Sequence, residues 1–110
     1  MTTAHIANLE KLLASGKDSA LLHFGLGSAY LEAGSPAVAV DHLRRAVEMN
    51  AKYSAAWKLL GKASIATGDA EGALAAYRSG VVAAQQMGDK QTLREMQVFI
   101  RRLEQAAGRQ

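Results

Sequence analysis

The residues with the most chemistry to offer are three histidines, His5, His23 and His42. None stands four positions from another, the spacing that would put two imidazoles on one helix face to grip a metal ion. They are therefore expected as surface or core-edge histidines, with His23 partly buried. The chain has no cysteine, which removes thiolate nucleophiles, disulfides and cysteine-based metal sites together. Ser28, His23 and Asp41 come nearest to a nucleophile, base and orienting acid. On a helix, however, five positions rotate His23 and Ser28 about 140° apart, off a common face. Gly25-x-Gly27 followed by Ser28 has neither the third glycine nor the Gly-Lys-Ser/Thr ending of a phosphate loop. The ten acidic residues are scattered, mostly beside basic ones, so no carboxylate pair is set up for acid–base work. No catalytic residue, cofactor or metal is implied, and the chain reads as a non-enzyme.

Charge is the other resource. Thirteen Lys and Arg against ten Asp and Glu leave only +3. Lys58 and Lys62, four apart, form one cationic edge; Arg44-Arg45 and Arg101-Arg102 are dispersed pairs. Nucleic-acid binding is disfavoured, because acidic residues interrupt these pairs and aromatic residues do not interleave with them. No apolar run approaches the ~18 residues that span a bilayer. The N-terminus lacks the basic start and apolar run of a secretion signal. A soluble, cytoplasmic protein is expected.

Helices must position these groups, because apolar residues recur at three- and four-residue intervals and never alternate. Leu22, Leu26, Ala29, Tyr30 and Ala33 make one stripe. Gly34-Ser35-Pro36, Gly68-Asp69 and Gly88-Asp89 each combine a helix-ending glycine with a residue that caps the next helix; Asp18 or Ser19 caps another. Six helices are predicted, over 4–15, 19–33, 36–50, 54–67, 70–87 and 90–107. Their short connections fold neighbours into antiparallel hairpins.

The helices repeat. Leu26-Gly27 returns as Leu60-Gly61, Gly34-Ser35 as Gly68-Asp69, and Ala39, Leu43 and Ala46 as Ala73, Tyr77 and Gly80, each 34 residues later. Small residues are wanted where paired helices cross closely, and large ones such as Tyr30, Leu43, Trp57 and Tyr77 fill the space beside the crossing. Trp57-x2-Leu60-Gly61 with Ala73-x3-Tyr77-x2-Gly80, and His23-x2-Leu26-Gly27-x2-Tyr30 with Ala39-x3-Leu43-x2-Ala46, resemble the tetratricopeptide repeat. His23 replaces the family's tryptophan and Ser64 its tyrosine, and the terminal prolines are missing.

This resemblance implies an all-α fold in which antiparallel helix hairpins stack as a short right-handed α-solenoid. One domain over 1–110 is expected: a covering helix at 4–15, repeats at 20–53 and 54–87, and a capping helix at 90–107. It also implies a non-catalytic protein–protein interaction module whose first helices line a concave groove. Carried over by helical phase, the groove takes Leu21, Phe24, Ser28 and Leu31 from the first repeat. The second supplies Ala55, Lys58, Lys62 and Ile65, and the last helix adds Arg94 and Arg101. A groove apolar at one end and basic at the other suits a protein or peptide with an apolar anchor and an acidic group or C-terminal carboxylate. Self-association into a homo-oligomer is the alternative.

Overall fold

The computed structural model describes residues 2–108; residues 1, 109 and 110 of the expected single domain lie outside the described residues. Six helices follow one another: α1 (Thr2–Ala14), α2 (Ala20–Glu32), α3 (Pro36–Met49), α4 (Ser54–Ala66), α5 (Ala70–Met87) and α6 (Lys90–Gly108). The expected ends hold to within two residues. Gly34, Gly68 and Gly88 turn the chain at φ of +81°, +82° and +70°, a backbone region that residues with a Cβ rarely adopt. Ser19 caps α2 by accepting from the Leu22 amide at 3.1 Å, and Asp69 caps α5 by accepting from Gly72 at 2.8 Å. Asp89 does the same for α6 through the Thr92 amide at 3.2 Å. Ser35 makes no such bond, and Pro36 opens α3 with its fixed φ and no amide to satisfy.

The hairpins α2–α3 and α4–α5 are each drawn together at a glycine. A Cβ on Gly27 would lie 2.5 Å from Leu43 Cγ, and one on Gly61 would overlap the Tyr77 ring. Ala39, Leu43, Ala46, Ala56, Leu60, Ala63 and Ala76 form a core where the two hairpins meet. Against α5, the helix α6 buries Met96 in a second cluster with Ala73, Tyr77 and Ala84, flanked by Leu93, Phe99 and Ile100. The backbone of α4 approaches those of α2 and α6 directly, while among the described residues that of α3 meets neither α1 nor α5 in this way. A double layer that is closer on one side must curve toward that side. The molecule is thus a short solenoid, 45 × 30 × 20 Å, with α2, α4 and α6 on its concave face.

Candidate binding surfaces

Two places collect polar or exposed apolar groups. One is the concave face between α4 and α6. Lys62, Ile65, Tyr77, Phe99, Arg102 and Leu103 line an open cleft of about 290 Å³ whose walls are almost wholly apolar. Phe99 is held by Tyr77, ring centroids 5.3 Å apart, and the Lys62 ammonium stands 5.7 Å above the Phe99 ring. Neither Lys62 nor Arg102 has an ion-pair partner among the described residues, whereas Lys58 is tied to Glu95 at 3.3 Å.

The groove residues expected from the sequence are therefore divided. Lys62 and Ile65 share the cleft; Lys58 lies close by with its charge offset by Glu95. Phe24 and Leu31 pack against the first core cluster, Phe24 meeting Tyr53 at 5.0 Å between centroids. Ser28 and Ala55 are half-buried. Leu21, 71% exposed, belongs instead to a cleft between α1 and α2 with His5, Leu9, Leu12, Lys17, Leu22 and Gly25. Arg94 is exposed, and Arg101 lines a shallow recess with Val81, Gln97 and Ile100.

Phe99 and Arg102 were not among the groove residues expected from the sequence, although Glu95, Phe99 and Arg102 follow helical spacing. Arg94 and Arg101 stand 36 residues after Lys58 and Ile65, the offset between the first residues of α4 and α6. The residues that meet α4 stand one position further on, Glu95 on Lys58 and Phe99 beside Lys62, a rotation of about 100°.

The second polar cluster lies in the first hairpin and corrects the expectation for the histidines. His23 is buried, only 6% exposed, and its Nδ1 sits 3.1 Å from His42 Nδ1 across α2 and α3. Asp18, a candidate cap in the sequence, instead holds His23 Nε2 at 2.6 Å and lies 3.9 Å from Arg45. Tyr30 stacks on His42 at 5.6 Å, and Glu10 Oε1, buried without a hydrogen-bond partner, lies 3.8 Å from His42 Nε2. Because Asp18 is an acceptor, His23 Nε2 carries a proton, and the facing Nδ1 atoms can share only one hydrogen. Burial lowers the His42 pKa below its ordinary value near 6.5, as does His23, while Glu10 and Asp41 pull it back up. The remaining histidine, His5, lies in the α1–α2 cleft away from this pair.

A tetratricopeptide-repeat profile matches residues 6–54 and 24–88. A curated TPR repeat-containing protein of Pseudomonas aeruginosa is 54% identical over 101 residues, spanning 92% of this chain and 96% of that protein. A solution structure of a Bordetella parapertussis protein superposes with a TM-score of 0.78 at 46% identity, over 92% of this chain and 88% of the other. The TPR domain of Sgt2 from Aspergillus fumigatus gives 0.74 at 26% identity, over 93% of this chain and 68% of that one. Two profile matches along most of the chain and a relative this similar leave one assignment: the chain belongs to the tetratricopeptide-repeat family, whose members are generally non-enzymatic protein–protein interaction modules.

Proposed function

We propose that this protein binds a partner through the concave cleft between α4 and α6, gripping a segment with an apolar side chain beside a carboxylate. What supports this is the pairing of an apolar floor, Ile65, Phe99 and Leu103, with two cations that have no ion-pair partner among the described residues, Lys62 and Arg102. Lys58 contributes little net charge, because Glu95 neutralises it. An exposed ion pair stabilises a complex by only about 0–1 kcal/mol, so burial of the apolar side chain supplies most of the affinity and the cations set its orientation.

The test is fluorescence anisotropy with short labelled peptides that end in Leu or Phe. Each is compared as free acid and as C-terminal amide, on the native protein and on Lys62→Glu with Arg102→Glu. The free acid should bind several-fold more tightly, and the double variant should erase that difference. Equal binding of acid and amide, or an unaffected double variant, excludes the carboxylate role.

A further inference from the structure

We infer that the cleft between α1 and α2 is a second docking site, built to take an amphipathic helix of a partner protein with a small residue at the crossing and acidic residues at its flanks. The cleft holds about 420 Å³ and is walled by Leu9 and Leu12 from α1 and by Leu21, Leu22 and Gly25 from α2. Both walls copy surfaces that already hold a helix elsewhere in this molecule.

On the α1 side, His5, Leu9 and Leu12 stand 34 residues before Ala39, Leu43 and Ala46, the buried face of α3. That face lies on α2, with Leu43 seated on Gly27. On the α2 side, Leu21, Leu22 and Gly25 stand 34 residues before Ala55, Ala56 and Leu59. Ala56 is fully buried, and Leu59 packs against the core cluster that also receives Phe24 and Leu31 of α2. The helix α2 is thus clasped between two surfaces, and both recur one repeat earlier on either side of the α1–α2 cleft.

Exposure agrees with this correspondence. Leu21 is 71% exposed and Leu12 43%, and both line the same cleft. Leu9 stands where Leu43 does, so a helix seated here needs Gly or Ala opposite Leu9, as α2 has Gly27 opposite Leu43.

The charges select the partner. Lys17 is the cation that lines the cleft, and no carboxylate does. The nearby acids are engaged elsewhere, Asp18 by His23 and Arg45, and Glu10 by His42. Acidic residues at the ends of the incoming helix complement that rim. A second copy presenting the same rim would meet like charge.

The probe is a fluorescein-labelled helical peptide with Leu, Leu, Gly, Ala and Tyr at the spacing of Leu22, Leu26, Gly27, Ala29 and Tyr30, and Glu elsewhere. Saturable binding is expected, weakened about tenfold or more by Leu12→Asp with Leu21→Asp. Binding should be unchanged by Lys62→Glu with Arg102→Glu, which separates this site from the concave cleft. Lys17→Glu, an exposed change that spares the fold, should weaken the peptide several-fold, and a version with Lys in place of Glu should bind less well. Loss of binding on changing Lys62 and Arg102, or indifference to Leu12 and Leu21, overturns the assignment. A concentration-dependent dimer in sedimentation that Leu21→Asp abolishes would overturn it too, giving the cleft to a second copy.

Discussion

Three alanine substitutions on two helices separate close packing from helix propensity. Each of Gly25, Gly27 and Gly61 lies inside a helix, where replacing glycine by alanine ordinarily gains about 1 kcal/mol. At Gly25 the new Cβ meets only Leu9 Cδ1, at 3.8 Å, an ordinary contact. At Gly27 it lies 2.5 Å from Leu43 Cγ and 2.7 Å from Cδ2, and Leu43 is fully buried with no room to withdraw. At Gly61 it enters the Tyr77 ring, which is 3% exposed and in contact with Phe99. Overpacking of this kind costs about 1–3 kcal/mol.

The balance therefore changes sign along one helix. Gly25→Ala should stabilise by up to about 1 kcal/mol, Gly27→Ala should destabilise by about 1, and Gly61→Ala by about 2. For a chain of this size each kcal/mol moves Tm by about 4 °C. Urea and thermal melts followed by circular dichroism at 222 nm read these shifts directly. Placing Gly61→Ala in a Tyr77→Leu background should recover about 1 kcal/mol, since the clash is with the ring. Equal shifts for Gly25→Ala and Gly27→Ala, or a Gly61→Ala protein as stable as the native one, would refute the packing account.

The histidine pair predicts acid sensitivity in the first hairpin. The folded protein holds His42 neutral below its ordinary pKa near 6.5, so the stability this gives is complete above that value and lost as pH falls through the lowered pKa. Tm should drop between pH 7 and 5, and His42→Asn should flatten that slope; parallel slopes would dismiss the pair as its source. Asp89 is held below the usual carboxylate range chiefly by its hydrogen bonds to Thr92, then by Ser54. Its contribution is present above its ordinary pKa and disappears in stronger acid, and Asp89→Ala should speed amide exchange at Thr92 and Leu93 at neutral pH. Trp57→Phe removes the 2.8 Å bond from Nε1 to the Ala51 carbonyl, which should cost about 1 kcal/mol in urea unfolding with an unchanged m-value.

The fold was legible because it rests on local signals. Gly34, Gly68 and Gly88 mark turns that need left-handed backbone, and Gly27 and Gly61 mark crossings through their missing Cβ. The site was less legible because it depends on which helix faces meet. Helical phase alone places Lys62 and Ile65 on the concave face, but it says nothing of Glu95 neutralising Lys58. That pair, and the positions of Phe99 and Arg102, depend on the rotation of α6 about its own axis as it packs on α4 and α5, which the helix ends do not fix. The His23–His42 contact is hidden for a related reason. The two residues are 19 apart on different helices, and their rings meet only through the crossing angle that Gly27 permits.

The same register explains why the two ends of the solenoid differ. The contacts of α6 with α4, Glu95 on Lys58 and Phe99 beside Lys62, set its residues 37 after those of α4, so Val98 stands where α4 has Gly61 and Arg101 where α4 has Ser64. A β-branched side chain at the crossing position, with Arg101 one turn on, prevents another helix from approaching as closely as α5 approaches Gly61. The neighbouring recess of Val81, Gln97, Ile100 and Arg101 is accordingly edged with polar groups. At the other end the crossing positions keep Leu9 and Leu12, with Gly25 opposite Leu9 at van der Waals range. Stacking is thus closed beyond α6 and open beyond α1. Among the described residues, the α1 end is where a helix extending the stack finds a matching apolar surface.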